Sequence, residues 1–286
     1  VTWEVAVPGA AELGERPVWD DAAGALIWVD IRAGRVHRHR PGGSDDHFDA
    51  GPTVGAAGLR AGGGYVLAAG TEFVLTGPDG AAETRIAVPG DGVFNDAAVG
   101  PGGRLWAGTA TPDLTPGAGA LYRLDPDLSV HLMLDGVTES NGLAWSADGT
   151  TMYYVDSGQR RPRIRAFAHD PASGALGAPR DFAVFGEGDG VPDGLVVDAQ
   201  ECVWVALWEG GAVRRYAPDG SLLAHLPVPA RLVTCPGFGG PGLADLYVTT
   251  AWEGMTAAAR AADPLAGHVL RCRPGATGSA AVRFAA

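Results

Sequence analysis

The chain has 286 residues, 46% of them hydrophobic, with 44 glycines and 21 prolines, which excludes a disordered chain and demands many turns. Its formal net charge of −12, with arginines scattered and no lysine, excludes a basic nucleic-acid-binding surface. The same acidic balance tolerates a cationic ligand.

No apolar run is long enough to span a membrane, so no membrane partner is expected. Residues 1–7 have neither the basic region nor the apolar segment of a signal peptide. The three cysteines, Cys202, Cys235 and Cys272, are an odd number in a long chain and argue against a disulfide framework. A reducing, cytoplasmic setting is expected from them.

In chain order, residues 2–7 alternate like a lone strand. Leu13-Gly14-Glu15-Arg16-Pro17-Val18-Trp19-Asp20, Ala25-Leu26-Ile27-Trp28-Val29-Asp30 and Gly34-Arg35-Val36-His37-Arg38-His39 then read as an antiparallel meander of three strands. Five further copies keep this order. They open at Ala56, Asn95, Asn141, Asp193 and Cys235, and their second strands are Tyr65-Val66-Leu67-Ala68, Arg104-Leu105-Trp106-Ala107, Met152-Tyr153-Tyr154-Val155, Cys202-Val203-Trp204-Val205 and Leu246-Tyr247-Val248-Thr249.

The copies therefore start at 15, 56, 95, 141, 193 and 235, each 39 to 52 residues after the last. A recurrence near the length of a four-stranded blade predicts an all-β, six-bladed β-propeller. Residues 1–286 then form a single domain, with the N-terminal strand closing the last blade. A closed ring hides most strand edges, so a monomer is expected.

Inner strands line a propeller's channel, so equivalent positions converge at one mouth. The column reads Glu15, Ala56, Asn95, Asn141, Asp193 and Cys235. Four oxygen-bearing side chains, with no basic partner evident in the pattern, predict a bound divalent cation: Ca²⁺ first, with Mg²⁺, Mn²⁺ or Zn²⁺ as alternatives. The competing explanation is turn chemistry, since Asn-Gly and Asp-Gly are common turn formers. It covers Asn141 and Asp193 but not Glu15, and Pro-Asp-Gly also occurs at Asp79 and Asp219 as an ordinary outer turn.

Gly14-Glu15-Arg16-Pro17-Val18-Trp19, Phe94-Asn95-Asp96, Ser140-Asn141-Gly142-Leu143-Ala144, Tyr154-Val155-Asp156-Ser157, Pro192-Asp193-Gly194 and Pro264-Leu265-Ala266-Gly267 together resemble the gluconolactonase/regucalcin (senescence marker protein) family. The resemblance implies a six-bladed propeller holding one divalent cation on Glu15, Asn141 and Asp193. Asn95 would sit beside them, touching substrate or water on the ion. It further implies a metal-dependent lactonase, with Asp193 and Asn95 as catalytic residues, Asp193 moving a proton, and a small lactone as substrate. Asn95, Trp19 and Trp208 are expected to contact that substrate.

Two departures bear on specificity. Sugar-lactone members often carry an arginine two residues before the Asn95 position, where this chain has Val93, and the segment 111–119 lacks the glutamate some members use. A less hydroxylated or otherwise different substrate is expected, within the class of sugar-type or other small lactones. The alternatives are a metal-assisted enzyme of the same fold acting on a phosphotriester or natural-product intermediate, and a non-catalytic calcium-binding propeller.

The remaining motifs are weaker. His37-x-His39 has strand-face spacing but arginine neighbours, and is read as surface. Trp208-Glu209-Gly210 and Trp252-Glu253-Gly254 either wall a pocket or pack between blades. Asp30 and Asp156, at the ends of second strands, are expected to support the ion site, and Asp96 to support Asn95. No Gly-x-Ser-x-Gly and no phosphate-binding glycine loop occur.

Overall fold

The computed structural model describes residues 1–9, 11–90 and 92–286. Among them the strands form six four-stranded antiparallel sheets, arranged in a ring as a six-bladed β-propeller. The inner strands are Gly14–Asp20, Val54–Leu59, Val93–Gly100, Ser140–Trp145, Val191–Val197 and Val233–Gly239. Each sheet then steps outward through consecutive strands. The sixth differs: its outermost strand is Glu4–Val7, which pairs with Val269–Cys272 from the other end of the chain.

The second strands are continuous apolar runs because both faces are covered by neighbouring blades. Trp28, Trp106, Trp204 and Tyr247 from these strands are fully buried. Trp106 packs on Trp145 of the next blade at 5.7 Å between ring centroids, and Trp204 meets Phe238 edge-on at 5.6 Å. Truncating one such ring to alanine costs about 3–5 kcal/mol. Asp198, at the end of the fifth inner strand, fixes the turn into its second strand. Its carboxylate accepts from the Cys202 N–H (2.9 Å), the Trp204 indole (2.8 Å) and Arg215 (2.7 Å).

After its last strand the chain crosses beneath the ring. The Ala199 N–H donates to the Thr277 carbonyl, the Phe284 N–H to the Leu59 carbonyl, and the Ala285 N–H to the Gly103 carbonyl. Phe284 is fully buried. Between this tail and the far ends of the inner strands lies a cavity of about 430 Å³, lined by Leu59, Trp145, Phe238 and residues 279–282. The one α-helix among the described residues is a short insertion, Ala257–Ala262. No helix among them is long and apolar enough to cross a membrane.

Candidate functional site at the channel mouth

Near its start, every inner strand breaks register with the strand beside it. The breaks fall between Glu15 and Val18, Val54 and Ala56, Phe94 and Asp96, Ser140 and Leu143, Pro192 and Leu195, and Val233 and Pro236. A bulge of this kind bends the strand and re-aims a side chain out of the regular pleat. Glu15, Asn95, Asn141, Asp193 and Cys235 all sit at or beside these breaks.

Small residues let the channel walls close. A Cβ on Gly142 would lie 2.4 Å from the Asp193 carbonyl oxygen, and one on Gly194 would lie 2.4 Å from Cys235 Sγ. The tripeptide Pro-Asp-Gly shows how context decides the role of a residue. At residues 78–80 and 218–220 it is a turn: Gly80 and Gly220 have φ of 87° and 88°, and Asp79 and Asp219 accept from the N–H two residues on. At 192–194 it lies inside a strand, and Asp193 makes no such turn. Asn141 likewise lies within Ser140–Trp145. Turn chemistry therefore accounts for neither.

The mouth is wired from blade to blade. Asn95 Nδ2 donates to the Ser140 carbonyl at 2.9 Å, Asn141 Nδ2 donates to Ser157 Oγ at 3.0 Å, and Ser157 Oγ donates to the Pro192 carbonyl at 2.8 Å. Thr234 Oγ1 donates to the Gly14 carbonyl at 2.6 Å, joining the sixth blade to the first, while the Cys235 thiol donates to the Pro236 carbonyl at 3.7 Å. Committing both amide nitrogens leaves the oxygens of Asn95 and Asn141 as the atoms free for a ligand.

Glu15, Asn141 and Asp193 are 4%, 6% and 6% exposed, and Asn95 is half-buried. Burial pushes the Glu15 carboxyl up to about 8, and the charge of Asp96 adds to this. Asp193 is pushed well above the usual carboxylate range, first by burial and then by the charges of Glu15, Glu139 and Asp96. Its Oδ1 is buried with no hydrogen-bond partner. Such an atom is costly unless a proton or a cation satisfies it. Among the described residues no three His, Cys, Asp or Glu side chains cluster as ligands. The set drawn from the sequence instead combines two carboxylates with an amide oxygen, a donor set suited to a hard divalent cation.

Asp30 and Asp156 brace the chain just ahead of the mouth. Asp30 accepts from the backbone N–H of Glu12 (3.1 Å), Leu13 (3.3 Å) and Ala33 (3.3 Å), and Asp156 accepts from Thr138 (3.3 Å) and Glu139 (3.0 Å). They thus fix the segments that deliver Glu15 and Asn141. Asp96 does something other than support Asn95: one oxygen accepts from its neighbour's N–H, on Ala97 (2.7 Å), and the other from Arg16 (3.3 Å).

Arg16 corrects the expectation that no basic group lies near. Its backbone takes a φ of 45°, the residue is 8% exposed, and its guanidinium reaches Asp96 at 3.3 Å and the Leu143 carbonyl at 2.9 Å. Nothing in the repeat pattern marks it, since an arginine on an alternating strand reads as outward-facing.

Trp208 is half-buried at the mouth end of the fifth blade, packed against the cluster that holds Leu13, Leu232 and Ala251. Trp19 is not at the mouth. Four residues along its strand from Glu15, or about 13 Å, it is buried against Tyr247 at 6.1 Å and borders the cavity at the opposite end. His39 is buried instead of exposed, while His37 stacks on Trp28 at 4.0 Å and pairs with Asp45 at 3.1 Å.

A six-bladed ring with buried carboxylates and amides at one mouth defines the class of protein. The chain belongs to the SMP-30/gluconolactonase/LRE-like family, whose model matches residues 13–252. It is 37% identical over 263 residues to regucalcin of Danio rerio, covering 90% of this chain and 88% of that one. It is 36% identical over 278 residues to a 6-deoxy-6-sulfogluconolactonase of Pseudomonas putida, covering 96% and 95%. Among solved structures, a calcium-binding regucalcin of Agrobacterium tumefaciens superposes with a TM-score of 0.91 at 27% identity, over 99% of this chain and 97% of that one.

Proposed function

We propose that this protein is a lactonase whose Glu15, Asn141 and Asp193 hold one divalent cation, Ca²⁺ in the first instance, at the mouth of the ring. The observation that carries this is the buried, unpartnered Oδ1 of Asp193 beside the buried Glu15. Relatives named as lactonases, and a structural neighbour named as calcium-binding, support the reading.

A cation bound there supplies a Lewis acid that polarises a carbonyl and offsets negative charge growing on its oxygen. The chain's own residues do the rest. Asn95, held through its nitrogen by Ser140, presents an oxygen to a substrate hydroxyl or to water. Asp193 accepts a proton from the attacking water and returns it to the ring oxygen as the ester opens. Trp208 offers an apolar wall beside the mouth. At the position of the family's arginine, Val93 is half-buried and pairs with Ala110, so no charge is offered to sugar hydroxyls from that point. This favours a small lactone with fewer hydroxyls than a hexonolactone.

The test is a panel of lactones followed by pH-stat, using metal-stripped protein with Ca²⁺, Mg²⁺, Mn²⁺ or Zn²⁺ restored. Hydrolysis that needs the ion and is abolished, together with ion uptake, in Asp193→Ala is expected. Full hydrolysis by that variant would overturn the assignment. Ion binding with no turnover of any lactone would favour the calcium-binding reading.

A further inference from the structure

Four charged side chains share the inner end of the mouth. Glu15, Asp96 and Asp193 are carboxylates 4%, 1% and 6% exposed, and Arg16 is the guanidinium among them, 8% exposed. Arg16 ties them together: its backbone N–H donates to Glu15 Oε2 at 2.9 Å and its guanidinium to Asp96 Oδ2 at 3.3 Å, and the charges of Glu15 and Asp96 both bear on Asp193. The cluster is also incomplete, because Asp193 Oδ1, buried and without a partner, has no group to satisfy it.

Arg16 reaches this place at a cost. A non-glycine residue with a φ of 45° is strained, and burying a guanidinium is expensive unless it is paired. What it gains is specific: Nη1 takes Asp96 Oδ2 at 3.3 Å and Nη2 takes the Leu143 carbonyl at 2.9 Å. The other Asp96 oxygen already accepts from Ala97 at 2.7 Å, so Arg16 holds the one oxygen that would otherwise be open. A guanidinium does not give up its proton in a protein, so its positive charge is permanent.

Three carboxylates and one guanidinium sum to a charge of minus two when the acids are ionised. We propose that Arg16 sets the charge of the ion this mouth accepts: by pairing with Asp96 it offsets the charge of a carboxylate that stands beside Glu15 and Asp193 without joining them as a ligand, and leaves a site balanced for one divalent cation. This rests on the cation reading above and adds the residue that fixes the selectivity. It differs from a bracing role, because a brace between blades would affect every ion equally.

The experiment compares Ca²⁺ with Tb³⁺ by calorimetric titration of the metal-stripped, full-length protein and three variants. Wild type binds one Ca²⁺. Arg16→Met, which keeps the side-chain length but leaves three uncompensated carboxylates, should shift the Tb³⁺/Ca²⁺ affinity ratio upward by on the order of tenfold or more. Adding Asp96→Asn to it removes the extra negative charge and should return the ratio to the wild-type value. Asp96→Asn alone, with net charge minus one, should weaken both ions, Tb³⁺ the more.

Should Arg16→Met fail to fold by circular dichroism, Arg16→Gln keeps an N–H donor for Leu143 without the charge, and Asp96→Asn gives a reading independently. An unchanged ion ratio in the Arg16 variant, or a double variant that does not restore it, overturns the proposal while leaving the cation site intact. Wild-type protein that takes up neither ion overturns the cation reading itself.

Discussion

Loading the metal-stripped protein with Ca²⁺ at pH 7 should expel protons. Glu15 is pushed up to about 8 by burial and by Asp96, so at pH 7 about nine in ten molecules carry its proton. Asp193 is likewise raised well above its ordinary value, by burial and then by Glu15. A cation binds the ionised carboxylates alone, so uptake of one ion should release at least about one proton, that of Glu15. Apparent affinity should correspondingly rise by about tenfold or more per pH unit below 8. Calorimetry in two buffers of different ionisation enthalpy, PIPES and Tris, reads the proton count directly, and Glu15→Gln should lower it by about one while weakening binding. The same protonation governs stability. Because the folded value lies above the ordinary 4.5, the stabilising contribution of Glu15 in metal-free protein is fully present below about 4.5 and is lost as pH rises through about 8. Thermal melts of metal-free protein should therefore fall across that window, and added Ca²⁺ should reverse the fall. Identical binding heats in the two buffers would mean that the acids are already ionised at pH 7 and that burial does not hold a proton on Glu15.

Three further outcomes are expected. Gly194→Ala forces a Cβ to within 2.4 Å of Cys235 Sγ and 2.8 Å of its Cα, which should cost about 1–3 kcal/mol in urea unfolding and weaken ion uptake by displacing Asp193. Asp30→Ala strands the Glu12, Leu13 and Ala33 N–H groups and should cost about 3 kcal/mol, with ion affinity falling because Glu15 is no longer held in place. Phe284→Ala empties a fully buried position beneath the ring and should cost about 3–5 kcal/mol by chemical denaturation, with the ion count unchanged at one.

The ring was readable because each blade needs the same physical parts. A second strand buried on both faces must be apolar, and its central Trp28, Trp106, Trp204 or Tyr247 recurs at blade spacing. The phase of Glu15, Asn95, Asn141 and Asp193 followed from that period. What escaped the pattern came from geometry that breaks period two. The bulge at Glu15 turns Arg16 inward, and no alternation rule foresees this. Trp19 belongs to the same motif as Glu15 in sequence, yet strand rise alone carries it to the other end of the channel. His39 looked exposed between two arginines because its burial depends on the neighbouring blade. The tail after Cys272 carries no strand pattern at all. Its role rests on backbone hydrogen bonds to Leu59 and Gly103, more than 170 residues away in sequence.

That tail has a consequence for traffic. The cavity beside residues 279–282 is bordered by Arg16 but by neither Glu15 nor Asp193, so a ligand of the two carboxylates should enter and depart by the mouth. A molecule lodged there also blocks the way out for an ion beneath it. Ion exchange should therefore slow when the well is occupied, and the order of arrival becomes ion first, organic molecule second.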